Sequence, residues 1–379
     1  MNALLRSRIQ HSVRETVIDP RFANRERQPG LDLLRALAII LVVIYHAGIF
    51  GFALPHRLHR FGWIGVDLFF LLSGYLIGGQ LLAPLTREQP MNLPRFFSRR
   101  ALRIMPAYFV VLAVYFCLPS LREFPEISPL WKFLVSIQNI NLRGGTAFSH
   151  AWSLAIEDQF YLALPLLLIF INRWTRAAFI IPLTVFIGGL ALRGTLAYLN
   201  PGEAGVSFSG FQKFIYYPTW TRLDPLVFGV VLAALQKFRP SLWKRLMNFA
   251  TWLWLPGLAA IVYGLALGEN DLTIATCVWQ FPLIAVGMVT LLVCAVSPQL
   301  PFRHVEIPGA AFFASIAYSV YLSHKLIIHA IIQFCSAHNI ALTSVSALLL
   351  VEICIYGAGF ILFLSIERPF LQLRRRIAH

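Results

Sequence analysis

The stretch LDLLRALAIILVVIYHAGIF, residues 31–50, sets Asp32, Arg35 and His46 in an apolar run long enough to cross a bilayer. In a helix, the eleven residues from Arg35 to His46 bring the two to within about 20° of one face at ~100° per residue. They are separated by roughly 16 Å of rise. Asp32 lies on the same side and can pair with Arg35. Ionisable groups at such depth are costly and usually serve function; the alternative is snorkelling for the ion pair and an interhelical hydrogen bond for His46. In RFFSRRALRIMPAY, residues 95–108, Arg100 and Arg103 project from one helical face. Such a guanidinium fork suits bidentate phosphate contacts, or it is plain cationic anchoring. SHAWSLAIEDQFYLALP, residues 149–165, lines up His150, Ser153, Glu157 and Tyr161 at intervals of three to four, with Asp158 beside them. Glu157 either orients an imidazole or donates a hydrogen bond itself. Asp67 adds a further acid in GWIGVDLFFLLSGYLIGG, residues 62–79, where Ser73–Gly74 and Gly78–Gly79 leave room for a helix or a ligand.

The elements that carry these groups follow from composition. The 379 residues are 58% hydrophobic and 13% charged, with a mean hydropathy of +0.69, more apolar than a water-facing surface accommodates. The sequence therefore predicts an all-α, polytopic transmembrane helix bundle. Apolar runs between Pro, Gly and charge clusters give about ten spans, near 31–53, 63–83, 104–119, 150–171, 178–199, 222–236, 250–267, 272–296, 308–335 and 341–366. Lys and Arg concentrate in the segments that face the cytoplasm if the amino terminus is inside, so both termini are expected to be cytoplasmic. Arg35, Arg193 and Lys325 fall within spans, and Arg222 is assigned to an outer loop.

The net charge of +15 is spread over the inner segments with no nucleic-acid motif, so no nucleic-acid partner is expected. Residues 1–29 read as a basic cytoplasmic tail touching anionic membrane lipid, residues 30–370 as the transmembrane domain and residues 371–379 as a basic cytoplasmic C-terminus. No cleavable signal peptide is expected, since the first apolar run starts late and is too long. The five cysteines are scattered through apolar segments, which fits core packing rather than disulfides or metal ligands. A single bundle without an attached soluble domain is the expected organisation.

In order along the chain, LDLLRALAIILVVIYH, GVDLFFLLSG, RRALRIMP and AWSLAIEDQFY resemble the acyltransferase 3 family of polytopic membrane acyltransferases. The family's Arg-x10-His element falls on Arg35 and His46, and its Arg-x-x-Arg element on Arg100 and Arg103. Looser matches are TRLDPLVFGVVLA at 221–233, AYSVYLSH at 317–324 and IERPF at 366–370. Asp158 stands where the family often has a second Glu, and Ser323 where a larger residue is common.

The resemblance implies a stand-alone O-acyltransferase of the bacterial inner (cytoplasmic) membrane. It would move an acyl group, commonly acetyl, from acyl-coenzyme A to a hydroxyl of a carbohydrate, a lipid-linked glycan or a small molecule. It implies acetyl-CoA or another acyl-CoA as donor and no metal. Arg35, Arg100 and Arg103 would bind the donor. His46, as an imidazole largely neutral near pH 7, would be the general base, and Glu157 would stabilise the imidazolium that forms. Transfer is either direct or through an acyl-enzyme on Ser73, Ser153, Tyr75 or Tyr161; no sequence feature singles one out. The aromatic segment GVSFSGFQKFIYYPTWTR, residues 205–222, fits sugar stacking or interfacial anchoring alike. Two other classes compete. A secondary transporter also buries ionisable groups, but calls for repeated halves with broken helices, and no such correspondence is found. A non-catalytic scaffold on the same fold fits poorly with a full motif set.

Overall fold

The computed structural model describes residues 28–173, 177–203, 205–269 and 271–376. The expected basic tail up to residue 27 and the last three residues lie outside the described residues. The long helices are α1 (Pro29–Ile49), α2 (Ile64–Leu85), α3 (Leu93–Cys117), α4 (Trp152–Arg173), α5 (Ala177–Tyr198), α6 (Asp224–Phe238), α7 (Pro240–Leu267), α8 (Ile274–Val296), α9 (Ala310–Ala337) and α10 (Val345–Leu362). A π-helical turn, Phe363–Glu367, leads from α10 into the basic α11 (Arg368–Arg376), which packs along α3. A two-residue hairpin, β1 (Pro201–Gly202) with β2 (Gly205–Val206), pairs Pro201 with Val206.

Local signals explain most boundaries. Pro29 opens α1 at a position where its missing N–H costs nothing. The Asn92 side chain caps α3 by accepting from the Arg95 N–H at 3.0 Å. That cap starts α3 eleven residues before the apolar run that marked the span at 104–119, so Arg100 and Arg103 sit on a continuous helix rather than in a loop. In the same way α7 begins at Pro240, ten residues ahead of its expected start.

Nine described helices are long and apolar enough to cross a membrane. The expected tenth span, 222–236, is α6 with 15 residues, about 22 Å at 1.5 Å per residue against a hydrocarbon core of about 30 Å. It nonetheless runs parallel to α2 in close contact, Gly74 meeting Leu226 and Gly78 meeting Val230 one turn further along both helices. A Cβ on Gly74 would lie 2.0 Å from the Leu226 carbonyl oxygen, and one on Gly229 would lie 2.3 Å from the Leu71 oxygen. The backbone just before α6 is irregular but buried in protein, the setting in which non-helical chain is tolerated at membrane depth. Overpacking a closed interface costs about 1–3 kcal/mol. Gly74→Ala is therefore expected to lower the thermal unfolding midpoint in detergent, whereas Gly79→Ala, where a Cβ meets nothing within 4 Å, leaves it unchanged.

Helices α1, α2, α8 and α9 pack together at the centre, with α7 against α8, α10 against α9 and α6 against α2. The outward faces of the peripheral helices are apolar and exposed, as at Ile180, Leu183 and Ile187 on α5 and Trp252, Leu255 and Val262 on α7. That is the pattern of a lipid-facing surface, with lipid as solvent. Arg35 near the start of α1 and Glu367 beyond α10 line one cavity, so the first and last of these helices have their outer ends at the same end of the bundle.

Candidate active site

The helical spacing read from the sequence is realised along α1. Asp32 and Arg35 form an ion pair at 3.1 Å, and the same helix carries His46 toward its other end. Arg35 and His46 nevertheless belong to two different cavities. Arg35, Arg100, Arg103, Glu157 and Glu367 line one of ≈190 Å³. His46, His150 and Lys325 line the other, of ≈590 Å³. Val66 and Tyr321 line both.

In the arginine cavity, the Arg100 guanidinium lies 3.8 Å over the Tyr161 ring, a cation–π contact that fixes its plane. Its Nε is buried without a hydrogen-bond partner. The Tyr161 hydroxyl donates to Glu157 Oε2 at 2.7 Å and is hydrogen-bonded to Ser73. Glu367, in the π-helical turn, accepts from the Ser319 hydroxyl at 2.8 Å. A planar, oriented guanidinium beside a second arginine is a fitting seat for a phosphate oxygen pair.

At the larger cavity three imidazoles meet, His46 and His150 in its lining and the fully buried His324 packed against both. The ring centroids of His46 and His324 are 4.7 Å apart, as are those of His150 and His324, and His46 to His150 is 6.3 Å. Each ring has one nitrogen on a main-chain carbonyl: His46 Nδ1 on Val42 at 2.9 Å, His324 Nδ1 on Tyr321 at 2.7 Å, His150 Nε2 on Leu322 at 3.3 Å. A nitrogen that donates to a carbonyl carries the hydrogen, so the other keeps its lone pair. For His150 Nδ1 and His324 Nε2 that second nitrogen is buried and unpartnered. Among the described residues no group of three or more His, Cys, Asp or Glu has the geometry of a metal site.

A strained turn delivers His150. Phe148 has φ 56°, ψ 21°, a left-handed conformation that a bulky residue rarely adopts. It is held there by stacking on Tyr115 at 4.4 Å and Phe133 at 5.5 Å, and by its N–H donating to Glu123 Oε1 at 3.0 Å. Glu123 pairs with Lys325 at 2.9 Å, and Lys325 also donates to the Ser149 hydroxyl at 3.0 Å. The Tyr321 hydroxyl donates to the His150 carbonyl at 2.6 Å and is hydrogen-bonded to Ser153 Oγ at 2.6 Å.

The polar ladder on α4 is therefore present, but it runs along the bundle axis and its two ends serve different cavities. Its His150 end meets the His46 ring. Glu157 is seven residues further, about 10 Å along the helix, among the arginines. The expected partnership of Glu157 with the His46 imidazolium is not what the geometry gives; the rings flanking His46 are His150 and His324. Of the four hydroxyls read as possible nucleophiles, Ser73 and Ser153 line the arginine cavity, while Tyr75 donates to Gln236 at 3.0 Å.

The aromatic segment at 205–222 lines the larger cavity through Phe208, Phe211, Tyr216 and Tyr217, with Phe211 stacked on Phe281 and Tyr216 edge-on to Trp63. Arg222 lies in the irregular chain just before α6, and that chain is folded into the protein. Its side chain is 0% exposed, pairs with Asp67 at 2.8 Å and packs 3.8 Å over the Phe281 ring. Arg193, also buried, pairs with Asp224 at 2.6 Å. The sequence reading missed His324, although it falls in the AYSVYLSH match beside Lys325; an imidazole next to an intramembrane lysine was the available signal.

Two cavities, one lined by arginines and the other by imidazoles, a lysine and aromatic rings, share a wall inside a helical membrane bundle. The chain belongs to the acyltransferase 3 family, whose profile, described as an acyltransferase domain, matches residues 28–367, and it is a multi-pass integral membrane protein. It is 28% identical over 334 residues to the O-acetyltransferase OatA of Staphylococcus aureus (strain NCTC 8325 / PS 47), covering 83% of this chain and 52% of that protein. With the peptidoglycan O-acetyltransferase OatA of Listeria monocytogenes it shares 32% identity over 250 residues, 60% of this chain and 38% of the relative. The chain thus spans about half the length of the Staphylococcus relative. No solved structure matches it.

Proposed function

We propose that the protein is a bacterial inner-membrane O-acyltransferase, with both termini cytoplasmic, that passes an acyl group from acyl-coenzyme A to a carbohydrate hydroxyl. The observation that carries this reading is the shared wall at Val66 and Tyr321 between an arginine-lined and an imidazole-lined cavity. Acetyl-CoA is the first donor to test, because both relatives are named O-acetyltransferases. A cell-envelope glycan is the first acceptor class, since the Listeria relative is named for peptidoglycan and aromatic walls such as Trp63 and Tyr216 present flat apolar faces to sugar rings.

In this reading the donor enters at the arginine end, its phosphates held by Arg100 and Arg103 with Arg35 alongside. Glu157 acts there as a positioning residue, fixing Tyr161 and through it the Arg100 plane. The thioester reaches the shared wall. His46 Nε2 takes the proton of the acceptor hydroxyl as the oxygen attacks the carbonyl carbon. A carbon–oxygen bond forms, the carbon–sulfur bond breaks, and the proton passes to the departing thiolate. The His150 and His324 rings pack against His46, each with one buried nitrogen that has no hydrogen-bond partner. Ser73 and Ser153 are bonded to tyrosines, Tyr161 and Tyr321, rather than to an imidazole, which favours direct transfer over an acyl-enzyme.

The test is incorporation of label from acetyl-CoA into envelope glycan by membranes containing the protein, with no incorporation by control membranes. Donor binding has its own prediction. A hydrogen bond to a charged group contributes about 1.5–3 kcal/mol, so the double variant Arg100→Ala, Arg103→Ala should raise the KM for acyl-CoA by about 10²-fold or more. An unchanged KM would remove the arginines from the donor site.

A further inference from the structure

The reacting carbonyl has to sit where both cavities can reach it, because attack requires the two atoms to come within about 3–3.5 Å. Only the wall made by Val66 on α2 and Tyr321 on α9 belongs to both linings. Tyr321 is not free to move aside. Its hydroxyl is tied on two sides at 2.6 Å, to the His150 carbonyl and to Ser153 Oγ, and its ring packs edge-on against Phe69 with centroids 6.4 Å apart. Val66 and Tyr321 are themselves buried. The part of the acyl group beyond the carbonyl therefore has to fit against Val66, Phe69 and the fixed Tyr321 ring.

Resting on the acyl transfer proposed above, we infer that Val66 and Tyr321 set the acyl-chain length, so that the enzyme accepts two-carbon groups and rejects longer ones at the partition between its cavities. Discrimination arises at the acyl end alone. The coenzyme portion, which all donors share, is held elsewhere, so chain length alters turnover without altering how the nucleotide end is gripped. In a closed apolar pocket one methylene changes selectivity by about 10–200-fold. Val66→Ala removes bulk from the wall without touching the hydrogen bonds. Tyr321→Phe keeps the ring and releases both of its ties.

The experiment uses the full chain in proteoliposomes with acetyl-, butyryl- and hexanoyl-CoA, measuring kcat/KM for transfer with each donor. The wild type is expected to favour acetyl over hexanoyl by about 10²-fold or more. Val66→Ala should raise the hexanoyl-to-acetyl ratio at least about tenfold. Tyr321→Phe should move it in the same direction, because an untied ring can swing. A loss of packing alone lowers all donors together and leaves the ratio where it was. Equal use of all three donors by the wild type, or an unmoved ratio in both active variants, overturns the inference. Absence of transfer by the wild type with every donor is a different result, and it defeats the acyltransferase reading itself.

Discussion

Replacing His46 with alanine is expected to lower the rate of acyl transfer by about 10²–10⁴-fold, the range a positioned acid–base group contributes, or about 2.7–5.4 kcal/mol of barrier. Acyl-CoA should still bind. The reason lies in the separation of the cavities: the donor's anionic end is assigned to Arg100 and Arg103, while His46 lines the other cavity with His150 and Lys325. An interaction made only in the transition state lowers kcat and kcat/KM alike. The expected signature is therefore a fall in kcat with the dissociation constant for acyl-CoA unchanged, measured by equilibrium binding to the purified variant. A collapse of local packing would act differently. The His46 ring touches His324 at 4.7 Å and Tyr45 at 5.1 Å, so a purely structural loss would show as a lower unfolding temperature and weaker binding of both substrates. Full turnover by His46→Ala would end its assignment as the base.

What the sequence made legible was whatever lies along one helix. The Asp32–Arg35 pair, the shared face of Arg35 and His46, the fork of Arg100 and Arg103 and the ladder from His150 to Tyr161 all follow from a 100° repeat, and each recurs in the structure. Contacts between helices were not legible, because hydropathy records burial without naming the neighbour. His324 reaches His46 across 278 residues of chain and Arg222 reaches Asp67 across 155. Glu157 illustrates the cost: its place on the ladder was right and its partner was not, since the axial distance from His150 was left out. Counting Arg222 with an outer loop says nothing of burial; a buried acid at Asp67 and a ring at Phe281 are what draw its side chain inside. The short α6 is alike in that the irregular chain before it is buried in protein.

That buried pair leads to the second large effect, on stability. Asp67 and Arg222 are 3% and 0% exposed at the side chain and 2.8 Å apart. Removing one partner of such a pair leaves an uncompensated charge and typically costs 3–5 kcal/mol, whereas replacing both with apolar groups of similar volume is often neutral. Asp67→Ala is accordingly expected to unfold far more readily than wild type, and the double variant Asp67→Ala, Arg222→Met to recover most of the loss. The recovery is the diagnostic, since independent sites would add their costs instead. Thermal unfolding of the three proteins in one detergent measures it, and an Asp67→Ala midpoint equal to wild type would show that the ion pair carries no weight. The Arg193–Asp224 pair begins two residues beyond Arg222 and adds its own bond to the Thr221 carbonyl at 2.8 Å, so it holds the backbone in place while Arg222 is exchanged. A folded double variant then isolates what Arg222 does for the cavity. Its guanidinium sits 3.8 Å from the Phe281 ring and 4.9 Å from Tyr216, two aromatic walls of the imidazole cavity. Without that backing the walls loosen, and the expected consequence is a raised KM for the acceptor with the KM for acyl-CoA unaltered, because the donor's arginines lie on the other side of Tyr321.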